Sequence, residues 1–329
     1  MSSVPVASEI EVLDLRHFSA RQLRPLLERE AEVWRDRLRW DYRSSTELLL
    51  QYLDSRILQG FVALDKGRVC GYTFCVFEGA KAVIGDAFAA GHTTKADADA
   101  ARVLLMHILE MLRHMPGVER VESQLLLFNA GEFADLFAGP EYAVYPRLFL
   151  ECELAAQARE RESAGVPAEL ELSPWADGDY RAAGELIYAC YVGHSDGRIN
   201  DQYRSLHGTL RFLHNIVRFP GCGFFEAGLS WMLRERRSGA LVGMVLCSRV
   251  GAQVAHITQL CIAQAYRGRG LGRLLMGCCA QGLQRAGFAA ITLTVTEGNS
   301  PAVHLYESFG FTLRHSFDAM VLDTTCKPR

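Results

Sequence analysis

Residues 262–275 read IAQAYRGRGLGRLL, with three glycines and three arginines between an apolar run and an apolar periodicity. Glycine inside a regular element costs stability, so three at alternate positions mark a place that needs backbone freedom or close approach. Upstream, VAHITQLCI (254–262) is β-branched and apolar, which predicts a strand. Downstream, Leu271, Leu274, Leu275, Cys278 and Leu283 follow helical spacing, and Gly287 stands where a C-cap glycine belongs. The loop therefore leads a strand into a helix N-terminus. There, unpaired N–H groups and the helix dipole favour an anion, and missing Cβ atoms let a phosphate reach the backbone. Arg267, Arg269 and Arg273 add charge-assisted donors. A phosphorylated ligand is expected here.

The two common phosphate loops do not fit. A Walker A loop needs Lys-Ser/Thr after its last glycine, whereas Gly272 is followed by Arg273-Leu274. A dinucleotide fingerprint needs G-x-G-x-x-G and an acid about 20 residues on. The spacing here is G-x-G-x-G, and residues 290–294 (AITLT) carry no acid.

Around this loop the chain has the composition of a globular protein. Its 329 residues are enough for two ordinary domains. A net charge of −3 speaks against a nucleic-acid partner bound through bulk charge. No uninterrupted apolar 18-mer occurs, and the first residues lack a basic segment followed by an apolar one, so no membrane partner and a cytoplasmic location are expected. The ten cysteines show neither a C-x-x-C pair nor a ligand spacing. They read as small buried hydrophobes of a reducing compartment, and no metal is expected.

The chain rhymes with itself. Residues 155–168 (AAQARERESAGVPA) read as a charged linker between a domain over 1–154 and another over 169–329. Glu9-Ile10-Glu11-Val12 resembles Glu169-Leu170-Glu171-Leu172, and in the first copy a Ser19-x-x-Gln22 capping box follows. Strand, glycine turn and strand recur at 61–77 and 230–250, with Gly71 matching Gly243. Asn129 precedes an apolar helical pattern as Asn299 does. A repeat of about 160 residues implies a duplicated domain rather than a solenoid. The copies part at the loop: the first-half counterpart, AAGHTTKADADAARVLL (89–105), has one glycine and no arginine before Arg102.

A second motif lies downstream. Residues 288–296 alternate as a half-buried strand. NSPAVHLYESFGF (299–311) then supplies a polar cap, Pro301 in the first turn, apolar Ala302, Leu305, Tyr306 and Phe309 on one face, and a terminating Gly310. With Arg267-Gly268-Arg269-Gly270-Leu271-Gly272, this pattern resembles the GCN5-related N-acetyltransferase (GNAT) family, whose loop reads Q/R-x-x-G-x-G/A. The resemblance covers about 170–322; the first half is similar in organisation only.

The resemblance implies an α/β fold of two tandem GNAT-like domains, each a mixed, mostly antiparallel sheet with helices on both faces. It implies acetyl-CoA as donor. The backbone N–H groups of Arg269, Gly270, Leu271, Gly272 and Arg273 would cradle the pyrophosphate. Leu260, Cys261 and Ile262 would lie along the pantetheine where the sheet splays, and Asn299 would hold that arm. Gln264 departs from the family, where many members carry proline.

Acyl transfer to an amine needs a proton acceptor, an oxyanion donor and an acid for the leaving thiolate. By the resemblance Tyr306 is the candidate acid, with a core aromatic as the alternative role. Counting by twos back from Ile262 along one strand face reaches Leu260, Thr258 and His256, which makes His256 the candidate base unless a bulge breaks the parity. Glu226 or a water chain is the alternative. The stretch 188–215, with Tyr188, Tyr191, His194, Asp196, Tyr203 and His214, is expected to choose a small-molecule amine acceptor. The competing reading is a non-catalytic acyl-CoA-binding or sensing protein.

Overall fold

The computed structural model describes residues 10–90, 95–155, 165–219 and 223–325. These fall into two compact units.

In the first unit, β1 (Ile10–Asp14) leads through a short 3-10 turn into α1 (Ala20–Leu38) and α2 (Arg43–Asp54). The capping box is half made. The Ser19 N–H donates to Gln22 Oε1 at 2.9 Å, while the Ser19 hydroxyl also turns to that oxygen rather than to the helix backbone. Next come β2 (Gln59–Asp65), β3 (Arg68–Glu78), β4 (Lys81–Ala89), α3 (Lys95–His114) and β5 (Arg120–Gln124). β1 to β4 are antiparallel neighbours, and β4 meets β5 in parallel. α3 packs Leu104, Leu105 and Ile108 on one face of this sheet. On the other face, Tyr72 reaches Glu30 of α1 at 2.7 Å.

The second unit repeats the plan. β6 (Tyr142–Glu153) and β7 (Leu170–Pro174) precede α4 (Tyr180–Tyr191), the single turn α5 (Asp196–Ile199) and α6 (Leu206–Arg218). Then follow β8 (Phe224–Phe225), β9 (Trp231–Glu235), β10 (Leu241–Gly251) and β11 (Val254–Ile262). The unit closes with α7 (Leu271–Arg285), β12 (Ala290–Thr296), α8 (Ser300–Phe309) and β13 (Thr312–Asp323). β7, β9, β10 and β11 are antiparallel neighbours, β8 adds two residues to β10, and β11 meets β12 in parallel. α7 and α8 cover one face through Leu271, Leu275 and Phe309. α4 and α6 cover the other through Ile187 and Leu213.

The division between units does not follow the expected linker, of which residues 156–164 lie outside the described chain. The first unit takes residues up to Tyr145, apart from 37–41, and then takes back the chain from Phe317 onward. Accordingly, β6 gives residues 147–153 to β12 of the second unit, while β13 gives residues 319–323 to β5 of the first. Each unit completes its sheet with a strand that the other half of the sequence encodes. The repeat at Asn129 also differs from expectation. Residues 129–137 form turns and not a helix, because Gly131 takes the left-handed backbone at φ +81° two residues after the asparagine.

The duplication is visible in packing. At Gly71 an added Cβ would lie 2.9 Å from Leu104 Cδ1 of α3 and 2.9 Å from the Phe88 oxygen. At Gly243 it would lie 2.9 Å from Ile262 Cδ1 and 3.2 Å from Leu275 Cδ1 of α7. Both glycines let a helix press onto the middle of the sheet. Gly71→Ala and Gly243→Ala should therefore each destabilise the chain by roughly 1–3 kcal/mol, the scale of an overpacked core, in a denaturant titration. Two unperturbed midpoints would remove the close-packing role.

Candidate active site

The parallel contact between β11 and β12 lasts four residue pairs, from Val254 with Ala290 to Ile257 with Leu293. Thr258 is then extra in β11: Leu246 of β10 faces Gln259 while the next residue, Cys247, faces Ile257. This bulge turns β11 away, and β12 continues against β6 alone. Ala263 donates to Val242 of β10 at 2.8 Å. By ladder alternation, the N–H groups of Leu260 and Ile262 then face away from β10, toward the gap that β12 leaves.

The glycine loop closes one end of this gap. Gly268 and Gly270 have φ of +74° and +75°, and a Cβ on either would meet nothing. Conformation, not space, requires glycine at these two positions. Gly272 is different, because a Cβ there would sit 3.2 Å from Leu305 Cδ2 of α8. The Leu274 N–H already bonds Gly270 O at 3.0 Å, whereas the N–H groups from Gly268 to Arg273 meet no acceptor among the described residues. Six convergent free N–H groups at a fifteen-residue helix fit an anion.

The arginines mostly hold the loop. Arg267 donates to Ile262 O at 3.1 Å and to Cys190 O at 3.5 Å. Arg269 pairs with Glu169 and lies over the Tyr266 ring. Arg273 donates to Ser308 O at 2.9 Å. Arg267 and Arg273 still line the cavity that begins here, and Arg269 does not.

That cavity, about 550 Å³, runs from Gly268, Gly270 and Gly272 past Leu260, Cys261 and Ile262 to Asn299 and Tyr306. The structure thus brings together both motifs and the strand end between them. Asn299 caps α8 without a side-chain cap bond, so its amide is left for the cavity and for His194 Nε2 at 3.4 Å. Tyr306 lies on the buried face of α8 yet also lines the cavity. Burial, with Cys261 and Asp196 nearby, pushes its hydroxyl above the usual tyrosine range.

His256 is not brought to this cavity. Across the Thr258 bulge the side-chain parity inverts: Ala255 and Ile257 share the α7 face with Leu260 and Ile262, and His256 points the other way. It is buried between Trp40 and Phe149, with Nδ1 2.9 Å from Thr292 Oγ1. Burial pushes its imidazole down to about 3. Glu226 is held by Arg249 at 2.8 Å and does not line the cavity either.

Sequence reasoning missed Cys190 and Gln259. Cys190, on α4, donates its thiol to Ile262 O at 3.3 Å. Contact with the Cys261 thiol, and then Arg267, draws it down to about 7 although burial opposes this. Gln259 follows the bulge and ties the Tyr191 and Tyr203 hydroxyls at 3.3 and 2.9 Å, beneath rings stacked at 4.0 Å. His194 stands beside them. Its Nδ1 lies 3.1 Å from the Asp196 N–H and its Nε2 3.4 Å from the Asn299 amide. The Asp196 carboxylate is itself fixed by the Thr296 hydroxyl at 2.6 Å. Of the other acceptor candidates, Tyr188 lines an adjoining cavity with Tyr191, His194 and Tyr203, whereas His214 packs against Phe219 outside it.

The two units share one order of mixed strands, and the second is opened at a glycine loop, as in the tandem GNAT fold. A tandem GNAT protein from the clavulanic acid biosynthesis pathway superposes with a TM-score of 0.62 at 14% identity, over 98% of this chain and 100% of that one. A GCN5-related N-acetyltransferase from Sphaerobacter thermophilus gives 0.63 at 14%, over 96% of each chain. Such identities establish fold alone. Residues 199–311 match the Acetyltransferase (GNAT) family. A mycothiol acetyltransferase of Thermomonospora curvata is 36% identical over 97 residues, 30% of this chain and 31% of that protein. Another, of Propionibacterium freudenreichii, is 25% identical over 170 residues, 51% of each. The matches thus span about a third and about half of these relatives' lengths.

The buried histidine has a measurable consequence. His256 stays neutral in the fold, while in the unfolded chain it takes up a proton below about pH 6.5. Its contribution to stability is therefore complete above pH 6.5 and is lost as pH falls toward 3, by at most about 1.4 kcal/mol per pH unit. His256→Gln should flatten that part of the stability–pH curve. An unchanged slope would mean that the ring is solvated.

Proposed function

We propose that the second unit transfers an acetyl group from acetyl-CoA to the primary amine of a small molecule. The observation that carries this reading is the single cavity joining free N–H groups at the α7 N-terminus to the Tyr306 hydroxyl across an unpaired strand end. The match of residues 199–311 to the acetyltransferase family and the partial matches to relatives named mycothiol acetyltransferase support it.

In this reading the N–H groups of Gly268 to Arg273 bind the pyrophosphate, and Leu260 offers its backbone edge to the pantetheine, while the Ile262 carbonyl stays bonded to Arg267 and Cys190. Asn299 holds the arm from the opposite wall. Acetyl-CoA so held supplies the thioester that an amine attacks. The Ile262 N–H, turned into the gap, steadies charge that develops on the carbonyl oxygen. Tyr306 keeps the proton that the departing sulfur needs, and its raised titration keeps that proton in place through alkaline pH. Neither His256 nor Glu226 reaches the amine, which loses its proton to water.

Three measurements test the reading. Gly270→Asp forces a left-handed position onto a side chain and adds charge where pyrophosphate binds, so acetyl-CoA affinity should fall by at least a hundredfold with the fold intact. Calorimetry of the parent should give one acetyl-CoA site per chain; two equivalent sites would contradict confinement to the second unit. Tyr306→Phe keeps the ring and should leave acetyl-CoA affinity unchanged while lowering turnover roughly tenfold to a thousandfold. In the parent, no loss of rate below about pH 10 should trace to this residue, because its hydroxyl titrates above the ordinary value of 10.0. A normal rate for Tyr306→Phe would assign Tyr306 to the core alone. Amine-independent binding without thiol release would leave a binding protein instead of an enzyme.

A further inference from the structure

We infer that the amine acceptor carries an anionic group, which Arg204 receives. The inference rests on the proposed acyl transfer and names its substrate class. A second cavity of about 310 Å³ adjoins the donor cavity, and Tyr191 and His194 line both. The junction therefore lies at the end where Tyr306 and Asn299 stand. An amine entering from the second cavity meets the thioester position with the rest of its body still in that cavity.

The lining of this space has one sign of charge. Arg198 and Arg204 contribute to it, and no carboxylate does. Asp196, close in sequence, turns its carboxylate to Thr296 instead. Arg204 is the informative residue. Its Nε donates to Gly197 O at 2.7 Å, which fixes the plane of the guanidinium from one side. Arg204 makes no ion pair among the described residues, so its terminal N–H groups keep their capacity for an anion. Two further lining residues are held in place: Tyr191 and Tyr203 stack at 4.0 Å, and Gln259 bonds both hydroxyls. A held guanidinium in one cavity with a fixed aromatic pair suits a short molecule with an amine at one end and a carboxylate or phosphate at the other. Charge on the molecule as a whole does not explain the site, because the chain carries a net −3.

The test uses the full chain and two matched pairs of amines, phenylalanine with phenethylamine and glucosamine 6-phosphate with glucosamine. Thiol release from acetyl-CoA reports transfer, and calorimetry in the presence of coenzyme A, which cannot transfer, reports binding. At least one anionic member should exceed its neutral partner in kcat/KM and in affinity by roughly tenfold to a hundredfold, the range of one charge-assisted bond. The pair that responds separates carboxylate from phosphate. Arg204→Gln should abolish that advantage through KM, with the anionic member losing roughly tenfold more than its neutral partner. Equal or better use of both neutral amines, an advantage that survives Arg204→Gln, or binding of none of the four would overturn the inference. Anion-selective binding without thiol release would sustain it and instead refute the transferase reading.

Discussion

Parallel pairing of β11 with β12 can hold only while both strands keep register, and the extra residue Thr258 ends it after four pairs. Everything that makes the second unit a candidate enzyme follows from that loss. It frees a strand edge, aims the N–H groups of Leu260 and Ile262 into a gap, and leaves room between α7 and α8 for a long ligand. The glycine loop stands at the mouth of this gap because β11 ends there. The bulge costs hydrogen bonds in the sheet, and a bound chain-like ligand is positioned to restore them.

The first unit has the same device and a different filling. β4 meets β5 over four pairs, and Gly85 is then extra, so Asp86 occupies the place of Gln259. The 160-residue offset of the opening strands carries Glu30 onto Cys190 and Trp34 onto His194. Where the second unit has a thiol and an amide beside a cavity, the first has the buried Glu30 and the partly buried Asp86. Burial pushes both carboxyls upward, and the Asp86 charge adds to the rise at Glu30. Tyr72 and Tyr42 add hydroxyls, at 2.7 Å to Glu30 and 3.4 Å to Asp86, and Trp34 stacks on Tyr42 at 4.4 Å. Such a network tolerates little rearrangement, since any unpaired member is costly in a dry interior. It suits a scaffold better than a site that exchanges ligands.

Sequence patterns local to a turn or a helix were legible. Glycine spacing gave the loop and the start of α7, and the run 299–311 gave α8 with its Gly310 terminus at φ +100°. Strand faces were legible only up to the bulge. His256 was assigned by counting in twos, and one inserted residue reverses that count without any mark in side-chain composition. The arginines were read by charge, yet Arg267 and Arg273 spend donors on backbone oxygens that no local pattern reveals. Cys190 and Gln259 were missed because each acquires its role from a partner about 70 residues away. Asn129 misled for the opposite reason: a good local pattern was overridden by one left-handed glycine.

The strand exchange bears on how the protein is made. On a ribosome, the first half emerges with β1 to β5 complete in sequence, but the partner of β5 lies at residues 319–323 and is still unsynthesised. Meanwhile β6, already present, has its partner in β12. The amino-terminal sheet therefore waits, with one edge uncovered, until residues 319–323 have been made. Cutting the gene at 155–168 would yield one piece lacking its last strand and another lacking a strand beside β12. The two halves, though duplicated, are bound to finish folding together.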